Sequence, residues 1–268
     1  MNQLRRHLRV GRACLAQAVR RDLQFRAQVW TTLLIGFVEV ATALLPIWLL
    51  TRSTDGIRGW SAGGMIMISG LCQLVMALLG TFVAPNAAKF TAYVKDGELD
   101  TMLIRPLSGQ WFTATRWSRP AELWGCIPGA ALLVVGAITT QEAPTPLAAA
   151  TGIGWFILGT VLVGLLWLNL GYLAFWFTSV SPVGELMSTL LGIGRYPVAF
   201  FPSAIRVIML FVLPVGVATT VPAQLLTSSG TAEPAIVSAG IVAALPATII
   251  LTRLHWLVAV RRYASASS

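Results

Sequence analysis

Lysine occurs only twice in this 268-residue chain, at Lys89 and Lys95, and neither follows a glycine. A phosphate loop of the form G-x-x-x-x-G-K-[ST] needs glycines that let backbone amides wrap the phosphates and a lysine that reaches their terminal oxygens. The chain therefore cannot hydrolyse ATP by that mechanism. Histidine is equally scarce: only His7 and His255 could act as bases near neutral pH, and both fall at the cytoplasmic rim of the apolar spans, so a Ser-His intramembrane protease is poorly supported. Cys14, Cys72 and Cys126 never fall at ligand spacing with histidine, and no metal site is expected. They map to the cytoplasmic face or the membrane interior, imply no oxidised framework, and read as inert.

Charge is the larger deficit. Asp, Glu, Lys and Arg make up 11% of the residues, against roughly 25% in a soluble domain. Hydrophobic residues reach 56% and the mean hydropathy is +0.75. Apolar runs of about 20 residues, enough to cross a hydrocarbon core about 30 Å thick, recur along the whole chain and leave no room for a soluble domain. The expected fold is an all-α integral membrane protein, a single membrane domain over 1–268. Six helical spans are expected at about 29–50, 62–83, 122–140, 148–178, 203–221 and 235–257, because lipid forces each span to satisfy its own backbone. The fourth is long enough that it tilts, kinks or protrudes.

The formal charge of +9 needs no polyanion. With the N-terminus inside, 17 of the 19 Lys and Arg fall on cytoplasmic segments, Arg195 and Arg206 included, and only Arg52 and Arg58 lie outside. The positive-inside rule accounts for that distribution, and no nucleic-acid partner is expected. Both termini are placed in the cytoplasm, at a cell inner (plasma) membrane. A secretory signal is not expected, because a basic stretch of about 28 residues precedes the first apolar run and no small-residue cleavage site comes after it. In that stretch, residues 1–28, Leu4, Leu8, Leu15, Val19 and Phe25 share one helical side and Arg5, Arg9, Arg12 and Arg20 the other. Such a helix lies on membrane lipid, serving either as topology-setting charge alone or as an elbow that also touches a cytoplasmic partner.

Ten acidic side chains serve the whole chain, yet Asp96, Glu98 and Asp100 fall within five residues of the cytoplasmic connection 84–121. Asp96 reads as an N-cap, Glu98 and Asp100 as first-turn anions, and Arg105 as the last-turn cation before Pro106. This pattern predicts a short helix over about 97–105, with Leu99, Met102 and Leu103 on one face. No soluble domain of this chain exists to bury that face, so it meets the ends of its own spans or another protein.

The segment 192–222 carries Pro197, Pro202, Pro214 and Pro222. Such breaks are tolerated where protein or a wet cavity meets the freed backbone groups. The part 214–234 reads equally as a re-entrant outer hairpin or as a kinked span leading into a polar loop. Polar groups inside the spans are few: Glu39, Gln73 and Asn169. Glu39 reads either as a protonated packing group bonded to a neighbouring helix or as a substrate-facing or proton-linked carboxylate. Gly125 and Gly129 form a G-x-x-x-G, read as close packing within one chain.

These residues resemble a known family. Six spans, a basic amphipathic N-terminus, "DGELDTMLIRPL" at 96–107 and "GRYPVAFFP" at 194–202 are similar to the ABC-2 type permeases, in particular the six-span group with G-x-L-D and then R-P-L. The resemblance implies an exporter built from two such permeases, identical or homologous, and two copies of a separate ATP-binding cassette subunit. ATP and Mg would be bound there, with no cofactor in this chain and no catalytic residue. It also implies a coupling helix that docks on the ATPase through Asp96, Gly97, Glu98, Leu99, Asp100, Met102, Leu103, Arg105 and Pro106. The first, second and fifth spans would line the path, making Glu39, Gln73 and Pro214 path candidates. The rivals are a secondary carrier driven by an ion gradient through Glu39, and a membrane enzyme; neither explains the acidic loop.

Overall fold

The computed structural model describes residues 3–24, 26–51, 58–140, 143–177, 181–227 and 235–263, and every regular element among them is helical. The amphipathic α1 (Gln3–Gln24) leads into α2 (Arg26–Thr51), the first apolar span. The second span is longer than its apolar run. After α3 (Ala62–Phe82) the chain continues as α4 (Ala84–Lys95), and the two pass as one helix of 34 residues. Pro85 is harmless there because it sits in the first turn of α4, where an amide N–H has no intrahelical partner to lose. The expected connection 84–121 is thus itself mostly helical. It holds the end of this long helix, α5 (Glu98–Leu103), α6 (Gly109–Thr115) and a 3₁₀ turn, Pro120–Gly125, that opens the third span, α7 (Cys126–Thr140). The fourth, α8 (Pro146–Gly171), ends in a 3₁₀ turn at Tyr172–Phe175.

Glycine faces glycine along the α3–α7 seam. A Cβ on Gly70 would lie 2.8 Å from the Gly129 carbonyl oxygen, and one on Gly136 would lie 2.9 Å from that of Gly63. Gly129 thus serves packing within the chain, and Gly125 sits 3.4 Å (as a built Cβ) from Ala77 on the same seam.

The fifth crossing departs from expectation. Its residues lie in α9 (Ser181–Gly192) and two 3₁₀ turns, Ile193–Arg195 and Val198–Phe200, and not in 203–221. Contacts with α3 fix the direction: Cys72 Sγ meets the Leu191 carbonyl at 3.3 Å, and Ser69 Oγ meets that of Arg195 at 3.2 Å. Arg58, just before α3, then donates to the Ala199 carbonyl at 2.8 Å. The segment therefore climbs antiparallel to α3, from the end that carries α5 to the far end. Next in the chain, α10 (Ser203–Val207) with a π-helical stretch Ile208–Val212 and then α11 (Val215–Thr227) form a pair bent by 99° at Leu213–Pro214. α11 returns along α8 toward the far end, since Gly159 abuts Ala218 and Gly152 abuts Leu226. Both ends of 199–227 thus lie at the far end, and the segment is re-entrant as far as residue 227; 228–234 fall outside the described residues. Arg195 and Arg206 accordingly do not mark the α5 end.

The last span, α12 (Ala235–Arg262), runs back to the α5 end. There Trp256 joins Phe90, Tyr93, Phe112 and Tyr172 in an aromatic core. α1 is fastened to the same end by Arg21, which donates to the Ser118 carbonyl at 2.7 Å, and by Asp22, which accepts from Ala121 N–H at 2.9 Å. Leu8, Leu15 and Val19 stay exposed on its outer side, as a lipid-lying helix requires. Phe25 lies outside the described residues.

Candidate functional site

Between α4 and α5 the backbone turns at Gly97, with φ 71° and ψ 8°. That left-handed geometry is open to glycine and costs other residues about 1–2 kcal/mol. Gly97, not Asp96, therefore occupies the position before α5, and no side chain caps the helix. Asp96 instead closes α4, its N–H donating to the Ala92 carbonyl at 2.8 Å. Glu98 and Asp100 fall in the first turn, where the helix dipole favours anions. α5 is shorter than expected and stops at Leu103, so Arg105 lies beyond it. The Arg105 guanidinium folds back, with Nε 3.4 Å from the Thr101 carbonyl and its charge 5.2 Å above the Phe112 ring.

The apolar face of α5 is satisfied by the chain itself. Leu99 and Met102 are 0% and 1% exposed, packed in the aromatic core formed by α4, α6, the end of α8 and α12. As seated here they are anchors on the ends of the chain's own spans, one of the two alternatives that the sequence left open. Asp100 lies beside Tyr263 at the end of α12; burial, and then the Asp100 carboxylate, push that phenol's pKa up. The accessible tip consists of Asp96, Glu98, Leu103, Arg105 and Pro106, with Gly97 half-buried. It adds Ile104, which is 84% exposed and which the face pattern missed. Its signal was a branched apolar residue just beyond the helix and two positions before a proline.

The path candidates separate. Glu39, midway along α2, pairs with Arg195 from the irregular crossing: Nη2 lies 2.8 Å from Oε2, and Nη1 donates to the Glu39 carbonyl at 3.2 Å. Glu39 thus meets a basic partner from elsewhere in the chain, and its side chain keeps 35% exposure. Gln73 is buried, its amide nitrogen 3.6 Å from a Cβ built on Gly36, which places it in the α2–α3 seam. Pro214 sits at the 99° bend and lines a cavity of about 280 Å³ against α8 and α12. A second, open cavity of about 770 Å³ lies at the α5 end between α4, α8 and α9, with apolar walls at Met76 and Trp167 and charges at Lys95, Arg119, Glu122 and Glu185. Among the described residues no cluster of His, Cys, Asp and Glu could hold a metal ion.

Among the described residues five helices are long and apolar enough to cross a membrane, and the fold is that of an all-α integral membrane protein. The family model for the ABC-2 family transporter protein matches residues 37–267, and the chain belongs to that family. It is the membrane permease of an ABC transporter, a class that works with an ATP-binding subunit. Neither the comparison with curated proteins nor that with solved structures gives a match.

The turn at Gly97 gives a direct test of the site's geometry. Gly97→Val should cost about 2 kcal/mol or more and Gly97→Asn less, because Asn tolerates the left-handed region and a β-branched residue does not. Thermal melts of the detergent-solubilised protein should rank wild type above Asn above Val.

Proposed function

We propose that this chain is the permease subunit of an ATP-driven exporter, and that α5 with its tip is the coupling helix that docks on a separate ATP-binding subunit at the cytoplasmic face. Two ATP-binding subunits and a second permease, identical or homologous, complete the transporter, with ATP and Mg held by the partner. The observation that carries this reading is the division of α5 into a buried face and a bare tip. Leu99 and Met102 are locked among the ends of three spans, while Ile104 stands 84% exposed one residue beyond the helix. A push on the tip is therefore delivered to the spans and not lost in a loose loop. Glu98 and Asp100 add negative charge that suits a basic groove on the partner.

The test is co-expression with the ATP-binding subunit, then pull-down and ATPase assay. The isolated chain should show no ATP hydrolysis. The wild-type complex should hydrolyse ATP, and Ile104→Asp should lower subunit retention about tenfold while membrane levels stay normal. Asp100→Lys should weaken binding more at low salt, where repulsion is least screened. Hydrolysis by the chain alone, or equal retention of all variants at every salt concentration, would overturn the proposal.

A further inference from the structure

α6, downstream of the docking tip, is tied to two spans by a single side chain. The Gln110 amide nitrogen donates to the Thr252 carbonyl of α12 at 3.1 Å and approaches the Tyr172 hydroxyl at the end of α8 at 3.4 Å. Its carbonyl oxygen accepts from Arg253 Nη1 at 2.8 Å. From Thr252 the connection continues inward. Asn169 Nδ2 donates to Thr252 Oγ1 at 2.7 Å and to the Leu165 carbonyl at 2.8 Å. Both donor hydrogens of Asn169 are thereby engaged, so its Oδ1 is an acceptor, and His255 Nδ1, 2.9 Å away, carries the proton that completes the bond.

The far end of this network is the 280 Å³ cavity. Asn169, Thr248 and His255 form part of its wall, and Leu210, Phe211, Val212 and Pro214, the bend of the re-entrant segment, form the part opposite. Apolar packing anchors α5 on the span ends, but it provides no directional link from α6 toward the cavity, because dispersion contacts have no direction. Hydrogen bonds in a partly buried setting do have direction, and breaking them leaves shielded polar groups unsatisfied. The Gln110 amide therefore fixes α6 to α8 and α12 at one point, linked through Thr252 and Asn169 to the cavity wall.

Resting on the permease reading, we propose that Gln110 is a positioning residue that carries displacement of the coupling segment, through Thr252, Asn169 and His255, to the cavity under the re-entrant bend. Movement of α5 and α6 then becomes relative movement of α8 and α12, and the bend at Leu213–Pro214 repacks in response.

The test uses the intact complex with the ATP-binding subunit, with Cys14 and Cys126 replaced by serine and Cys72 left buried. Nitroxide pairs join a reference at Val135 on α7 either to Thr101 on α5 or to Val212 at the bend. Distances are read by pulsed electron resonance without nucleotide and with ATP trapped by vanadate. In the otherwise wild-type complex both distances should shift on trapping. Gln110→Met, close in length but without the bonds, should keep the Thr101 shift and at least halve the Val212 shift. Gln110→Glu retains the Arg253 contact and loses donation to Thr252, and should act in the same way, which guards against a folding defect of the first variant. A role in stability alone would lower the yield of complex without separating the two shifts. A Val212 shift of wild-type size in either variant overturns the relay. Absence of any shift at both positions in the wild-type complex overturns the permease reading, and the relay with it.

Discussion

Gly159→Ala should leave little well-folded protein, although it adds only one methyl group. A Cβ at that position would lie 2.4 Å from the amide nitrogen of Ala218, 2.6 Å from its Cα and 2.8 Å from its Cβ. The obstacle is backbone, which no rotamer change can move. Ala218 is 0% exposed and sits in α11 between Val217 and Thr219, which are equally buried, so α11 has no free side toward which to retreat. Overpacking of this kind costs about 1–3 kcal/mol, and more where whole helices must part. In a chain of this size that corresponds to roughly 2–4 °C of melting temperature per kcal/mol. Fluorescence-detected size exclusion after a heating series is the measurement, with Gly154→Ala on the same helix as control. Nothing lies within 4 Å of a Cβ at Gly154, so that variant should behave as wild type. Equal melting of the two variants would mean that α8 and α11 do not pack as described.

Arg195→Ala should be the most damaging change among the polar residues of the spans. It would strip the Glu39 carboxylate of its partner midway along α2 and remove the bond to the Glu39 carbonyl. A charged carboxylate at the bilayer centre costs about 2.5–3.5 kcal/mol on insertion scales, and the partial exposure of Glu39 places the expected loss toward the lower figure. The double change Glu39→Gln with Arg195→Ala should recover much of the loss, because neutralising both partners leaves no unpaired ion in the span, whereas removal of one partner does. Folded yield and melting temperature of the two single variants and the double variant form a double-mutant cycle. Additive losses would mean that the two residues are not paired.

The apolar runs of α2, α7, α8 and α12 are legible because each span repeats one simple condition, a helix long enough and greasy enough for lipid. The fifth crossing is not. The segment 203–221 is the more hydrophobic candidate, whereas the residues that cross include Arg195 and Pro197, and Arg195 is met by Glu39 on α2 and Ser69 on α3, far away in the chain. Arg195 resembles a marker of the cytoplasmic face for the same reason. Around α5, the acidic first turn and Pro106 reveal a short helix, and the i, i+3 spacing finds the pair Leu99 and Met102. Their burial cannot be read locally, since the core that receives them is assembled from α4, α6, α8 and α12. Gln110 carries no local pattern, as its partners lie 62 to 143 positions away.

The length of the second span has a mechanical meaning. Its 34 residues rise about 51 Å, some 20 Å more than a hydrocarbon core of about 30 Å. α5 is mounted on the overhanging end, so α3 and α4 together form a lever whose fulcrum is the membrane edge. Over an overhang of about 20 Å, a tilt of about 10° carries the exposed tip of α5 through roughly 3–4 Å. A displacement of about 3–4 Å imposed on the tip thus asks a tilt of only about 10° of the glycine-packed seam with α7, a rotation that closely meshed helices can make without coming apart.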